Sequence, residues 1–276
     1  MYFPVANIVA EMADGAFDVE ITTGSIENLV RLGMGEVDFA IALSDRVGQA
    51  IQGLPPFDHI GAAENLRTVI ALFPEPLTIL VRADDDIDAL SDLQGRVVNL
   101  GPTGNQTGRL LRLAMDLSGW VHRLEDFRDV PLADQADALC AGEVDAIAYL
   151  AAHPSGTVHQ AASTCDVRAL AIVGEVADAL LAADATLAPA RIPGGLYPGI
   201  DRPVDSVGPM ALLVTRADIE DALVDALVGG VLDNLDTMAR RHPALAGVDG
   251  FLPMVGRGPL PVHDRAADLL AVAPTQ

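Results

Sequence analysis

Residues Val97 to Leu111 read Val-Val-Asn-Leu-Gly-Pro-Thr-Gly-Asn-Gln-Thr-Gly-Arg-Leu-Leu, and the fold follows from this stretch. Two β-branched residues and Leu100 make a short strand, and Gly101-Pro102 breaks it. Apolar residues at Leu110, Leu111, Leu113 and Ala114 then recur at helical spacing. A strand, a tight polar loop and a helix start gather several unpaired backbone N–H groups at one point. Such a point favours an anion, and Thr103, Asn105, Gln106 and Thr107 add hydroxyl and amide groups beside the backbone. A phosphate-gripping P-loop is excluded, because it needs a Gly-Lys-Ser/Thr ending and the chain contains no lysine. The dinucleotide fingerprint fails as well: glycines 101, 104 and 108 have the wrong spacing, and no acidic residue is placed for a ribose.

Outward from this stretch, the same design recurs. Phe17 to Ile21 alternates and predicts a strand, Thr22-Thr23-Gly24-Ser25 follows, and Ser25 is placed to cap a helix running through Leu29, Val30 and Leu32. Gly35-Glu-Val-Asp38 comes next and is echoed by Gly142-Glu-Val-Asp145. Each follows an amphipathic helix and leads into a buried strand with a polar end: Ser44-Asp45 in one case, Tyr149 with His153-Pro154-Ser155 in the other. Two α/β units of one design are therefore expected. Between them, two strand-like runs over Leu66 to Ala83 are split by Pro74-Glu75-Pro76, which suits a chain passing between lobes. Residues 4–13 predict a helix, as do Ala177–Ala183, Ile219–Asp236 and Arg265–Ala271; Val167–Val173 and Val207–Val214 predict strands. This alternation points to an α/β fold with mostly parallel sheets and with ligands at the carboxyl ends of strands.

Composition narrows the function. With 39 acidic and 17 basic residues the net charge is −22, which excludes the positive footprint nucleic-acid binding needs. An acidic membrane surface would repel the chain, and no apolar run reaches the ~18–20 residues of a membrane helix, so direct membrane insertion is not expected. A small anion remains compatible, since surface charge is screened within roughly 8 Å at physiological salt. No Gly-x-Ser-x-Gly elbow occurs, the six histidines lack metal-ligand spacing, and no cofactor motif is present, so a binding protein rather than an enzyme is expected. Cys140 and Cys165 form either one disulfide, in an exported protein, or a pair of buried thiols. Two uncharged loops at helix starts, Thr23-Gly24-Ser25 and Thr103 to Thr107, would hold a small carboxylate without lysine, with Tyr2, Tyr149 and Tyr197 as walls or phenolic donors.

Five ordered segments, beginning at Thr22 (Thr-Thr-Gly-Ser-Ile-Glu-Asn-Leu), Gly35 (Gly-Glu-Val-Asp-Phe-Ala), Leu72 (Leu-Phe-Pro-Glu-Pro-Leu-Thr-Ile), Leu93 (Leu-Gln-Gly-Arg-Val-Val-Asn-Leu-Gly-Pro) and Ile192 (Ile-Pro-Gly-Gly-Leu-Tyr-Pro-Gly), resemble the TAXI family of solute-binding proteins, the extracytoplasmic receptors of TRAP transporters. The resemblance spans nearly the whole chain. It implies a two-lobed type II periplasmic-binding-protein fold with crossover hinge strands, lobe one at 1–82 with 206–276 and lobe two at 83–205. It also implies a small carboxylate ligand such as glutamate or a related dicarboxylic acid in the interlobe cleft, and TRAP membrane permease subunits as partners. In that frame the ligand contacts are Tyr2, Thr23, Gly24, Ser25, Ser44, Thr103, Asn105, Gln106, Thr107, Tyr149 and Tyr197. Three departures stand out. Tyr2-Phe3-Pro4 matches only the end of the family's opening motif, so an export signal and a first strand are expected upstream of Met1. Leu43-Ser44-Asp45 stands where Gln-Ser-Asp is common, and Gly101 to Gly108 replaces Gly-Pro-x-Gly-Ser-Gly-Thr-Glu. The rival readings are an effector-sensing domain, for which a helix-turn-helix partner is lacking, and an enzyme on the same fold, for which Asp45 is the sole candidate acid.

Overall fold

A computed structural model describes residues 2–101, 105–120, 127–256 and 259–271. The chain forms two compact units, Met1–Phe73 with Pro209–Gln276, and Pro74–Gly208. In chain order the first unit holds α1 (Tyr2–Met12), α2 (Ser25–Gly33), β1 (Phe39–Leu43), α3 (Ser44–Gln52) and β2 (Leu66–Pro74). The second holds β3 (Leu77–Arg82), β4 (Val98–Asn99), α4 (Gln106–Leu117), β5 (Phe127–Arg128), α5 (Gln135–Cys140), β6 (Ala146–Leu150), α6 (Gly156–Thr164), β7 (Val167–Leu170), α7 (Glu175–Ala183) and β8 (Leu187–Ile192). Strand β9 (Val204–Arg216) carries the chain back to the first unit, which ends with α8 (Asp221–Asp233), α9 (Leu235–Arg241), α10 (Val248–Phe251) and α11 (Asp264–Leu270). The expected two α/β sheets are present. None of the described helices is long and apolar enough to cross a membrane.

The sheets are mixed rather than mostly parallel. In the second unit the order is β5-β4-β6-β3-β7, with β4 parallel to β5 and β6 but β3 antiparallel to β6 and β7. The other sheet runs β1-β9-β2 with β8 beside β9, and β1 is antiparallel to β9. The reason is connectivity. The reversed strands are β3 and β9, which stand where the chain passes from one unit to the other, so no helical crossover sets their direction. Both faces of the second sheet are covered. Leu77, Ile79, Val81 and Ala148 pack with α4 through Leu110, Leu111 and Ala114, while Leu80, Ile147 and Tyr149 pack with α5 and α6 through Leu139, Val158 and Ala161. This two-sided burial explains why its strands read as continuous apolar runs.

One expected strand does not form. Phe17 to Ile21 is irregular, with Phe17 set edge-on against Phe39 at 5.6 Å and Ile21 73% exposed. Alternation makes a strand only where a ladder partner exists. Here the outer edge of β1 is taken by side chains: Asn28 Nδ2 donates to the Ile41 carbonyl at 2.8 Å, and Ser25 Oγ accepts from Leu43 N at 3.1 Å. The two cysteines are resolved as a disulfide, joining the end of α5 to the residue after α6.

Candidate functional site

In the second unit, β4 and β6 are parallel neighbours whose following helices lie on opposite faces of the sheet, α4 on one and α6 on the other. The carboxyl ends of such strands open a crevice, and ligands of open α/β sheets bind there. Thr107 closes this crevice from one side: its Oγ1 accepts from Leu150 N, the last residue of β6, at 3.0 Å. The bond uses the hydroxyl as acceptor and leaves its hydrogen to donate. The Thr107 backbone N–H, in the first turn of α4, has no helix carbonyl to reach.

Asn105 is the N-cap that builds this helix start. Its Oδ1 accepts from Gly108 N at 2.7 Å and its Nδ2 donates to the Leu100 carbonyl at 2.8 Å, so both ends of the amide are committed within the loop. Gly101 makes the turn possible, with φ +69° and no room for a side chain, since a Cβ would stand 2.5 Å from Asn105 Nδ2. Gln106 is the first helical residue, and Thr103 lies outside the described residues. Two residues not anticipated from the sequence finish this end of β4. Asn99 Oδ1 accepts from Gly101 N and Val130 N, and Gln135 Nε2 donates to the Val130 carbonyl. Asn99 Nδ2 and Gln135 Oε1, both buried, have no hydrogen-bond partner among the described residues. Spare donors and acceptors of this kind are costly in a core and mark a place where polar groups collect.

Tyr149 and Tyr197 lie on the other face, in the cluster formed with α5 and α6. Burial pushes the Tyr149 phenol above its ordinary value. The Tyr197 hydroxyl is engaged internally, accepting from Ser155 N at 2.6 Å and standing 2.6 Å from His153 Nδ1. Both rings are buried in the second unit. Nothing in the spacing of Tyr197 announced its partner, because His153 lies 44 residues away in the chain.

In the first unit the expected residues converge on the carboxyl end of β1. Ser25 opens α2 and accepts from Leu43 N, with Tyr2 Oη 3.4 Å from its Oγ. Ser25 is thus not the cap of its own helix; Gly24 holds that position. Ser44 opens α3 and accepts from Met210 N at 2.9 Å, tying the helix start to β9. Thr23 is turned away from this cluster, its amide and hydroxyl both donating to the Glu27 carboxylate on the surface. Among the described residues no group of three His, Cys, Asp or Glu is placed to hold a metal ion.

The fold is that of the periplasmic binding proteins. Similar solved structures include the periplasmic aliphatic sulphonate binding protein SsuA from Escherichia coli, 17% identical with TM-score 0.52 over 97% of this chain and 86% of that one. A structure from glutathione import via GshT and the cystine ABC importer TcyBC of Streptococcus mutans is 16% identical, TM-score 0.51, covering 90% and 87%. The second substrate binding domain of a putative amino acid ABC transporter from Streptococcus pneumoniae is 13% identical, TM-score 0.50, covering 90% and 89%. The chain belongs to the NMT1-like family, whose model matches residues 1–269.

Proposed function

We propose that this protein is an extracytoplasmic solute receptor that binds a small carboxylate and delivers it to a membrane permease. The observation that carries the reading is the start of α4. A 12-residue helix begins at the carboxyl end of β4, its N-cap already satisfied by Asn105, with the Thr107 amide and hydroxyl left to donate beside the β4–β6 crevice. Helix-terminal N–H groups and a hydroxyl suit a carboxylate and need no lysine. The Tyr2–Ser25–Ser44 cluster is a second helix-start surface of the same make, and we read it as ligand-binding too. The Cys140–Cys165 disulfide accords with an oxidising compartment outside the cytoplasm.

The five segments that resemble the TAXI family favour a TRAP permease as partner and glutamate or a related dicarboxylic acid as ligand. A second reading, a receptor for an ABC importer of amino acids or sulfonates, is favoured by the proteins of like fold: the sulphonate binding protein of Escherichia coli and the Streptococcus proteins of cystine and amino acid ABC import. Thermal unfolding against a panel led by glutamate, glutamine, 2-oxoglutarate and an alkanesulfonate tests both. A ligand at a hundred times its Kd adds about 2.7 kcal/mol, or about 5 °C at this size. A shift with dicarboxylic acids supports the first reading, a shift confined to neutral amino acids or sulfonates supports the second, and turnover of any ligand overturns both.

A further inference from the structure

A single imidazole sits in a directed chain of hydrogen bonds beyond the end of β6. Ser155 N donates to Tyr197 Oη at 2.6 Å, Tyr197 Oη stands 2.6 Å from His153 Nδ1, His153 Nε2 stands 3.0 Å from Thr78 Oγ1, and Thr78 Oγ1 donates to the Pro76 carbonyl at 3.2 Å. The carbonyl at one end fixes every direction. Thr78 spends its only hydrogen on Pro76, so it accepts from His153, and Nε2 carries the imidazole hydrogen. Nδ1 is then the bare nitrogen and accepts from Tyr197. Three separate segments are joined in this way: the start of β3, the turn between β6 and α6, and the loop of residues 193–199.

The surroundings give a second proton no welcome. His153 is 4% exposed, and the Tyr197 ring meets it edge-on at 5.5 Å. From β3 it faces uncharged Thr78, whose register partner on β6 is Tyr149, and from the loop it faces the Tyr197 phenol. The carboxylate on the Pro76 segment is Glu75, and burial, not a neighbouring carboxylate, sets the charge preference of the imidazole.

We propose that His153 is an acid-operated latch: while neutral it pins Tyr197 and its loop to the β6–α6 turn and to β3, and a proton taken up on Nδ1 turns that nitrogen into a donor, strands the Tyr197 hydrogen, sets the new N–H against Ser155 N for the same oxygen, and so loosens the hold. Burial holds the imidazole at about 4, below its ordinary 6.5, so the latch is shut at neutral pH and opens as the surroundings acidify. This inference stands apart from the ligand reading, and its test needs no ligand.

The test is ¹⁵N and ¹³C NMR of the imidazole and the backbone amides of the whole chain from pH 7.5 to 3.5. The expected result is an Nε2–H tautomer at neutral pH, a midpoint near 4, and Ser155 and Tyr197 amides that move with that same midpoint. Tyr197→Phe removes the donor that favours the neutral ring and is expected to raise the midpoint by about one pH unit. His153→Asn keeps an acceptor near Nδ1 without titrating, and is expected to flatten the Ser155 response. A midpoint near 6.5, an Nδ1–H tautomer, Ser155 and Tyr197 amides that stay still through the transition, or a transition that survives in His153→Asn would each overturn the latch.

Discussion

Arg82 and Arg216 hold the same place in the two units. Arg82, the last residue of β3, donates through Nη1 to the Leu139 and Val144 carbonyls and pairs with Asp145 at 3.5 Å. Arg216, the last residue of β9, donates through Nη1 to the Leu32 and Val37 carbonyls and pairs with Asp38 at 3.8 Å. The acceptors stand at one constant offset, 139 − 32 = 144 − 37 = 145 − 38 = 107, and the strands follow the same registers, Ala146 opposite Val81 and Phe39 opposite Thr215. Each arginine satisfies the carbonyls exposed where a helix ends and a Gly-Glu-Val-Asp turn enters the strand. The glycines of the two turns share a left-handed backbone, φ +73° at Gly35 and +74° at Gly142.

These clamps are expected to carry stability. Replacing Arg82 or Arg216 by Met leaves the Val144 or Val37 carbonyl without its donor, while the Leu139 and Leu32 carbonyls keep the backbone N–H of Gly142 and Gly35, and is expected to cost about 1–3 kcal/mol in urea unfolding. Lysine restores the charge but not the planar fork, and is expected to recover less than half of the loss. A loss below about 0.5 kcal/mol in both methionine variants would show that solvent serves those carbonyls equally well.

Thr107 is expected to act through its hydroxyl. Thr107→Val should weaken binding of the preferred acid on the order of tenfold, since one hydrogen bond to a charged group contributes roughly 1.5–3 kcal/mol. Thr107→Ser keeps the hydroxyl and should bind within about twofold of the natural protein. Titration calorimetry on the pair decides it: equal affinities for Val and Ser would remove this hydroxyl from the site.

The disulfide is expected to stabilise the second unit. It closes a loop of 25 residues, which on the loop-entropy view is worth about 3 kcal/mol. Cys140→Ser, or the natural protein under reductant, should therefore melt several degrees lower. An unchanged melting temperature under full reduction would show that α5 and α6 are held by packing alone.

His153 sets a pH dependence of stability with a definite sign. Its folded-state value of about 4 lies below the unfolded 6.5, so its contribution is fully present above about pH 6.5 and is lost as pH falls towards 4. The full loss is about 3 kcal/mol, read as the difference between natural protein and His153→Asn in unfolding at pH 7 and pH 4. A difference that does not change with pH would mean that His153 titrates alike in both states.

The parts legible in the sequence were those written in local pattern. Val97 to Leu111 shows its strand, break and helix, and the Gly-Glu-Val-Asp echo marks two helix ends that are geometrically alike. The arginines that complete those ends were not legible, because Arg216 lies 184 residues from Leu32. Asn105 was readable as a polar loop residue but not as a cap that spends both ends of its amide. Phe17 to Ile21 has the alternation of a strand without a partner to pair with, and α3 was hidden behind Ser44-Asp45, whose polarity reads as a strand end. The reversed strands β3 and β9 also escaped, since direction in a sheet is set by connectivity and leaves no mark on side-chain period.

The measurement closest to the central claim is a ¹H–¹⁵N titration of the protein with glutamate and 2-oxoglutarate, following the amides of Gln106, Thr107 and Gly108 at the start of α4 and of Leu150 at the end of β6. A carboxylate seated on the helix start is expected to move the Gln106 and Thr107 amides downfield in proportion to occupancy, with Leu150 responding through the Thr107 hydroxyl. Saturable binding of either acid that leaves these amides in place would contradict the assignment of the site.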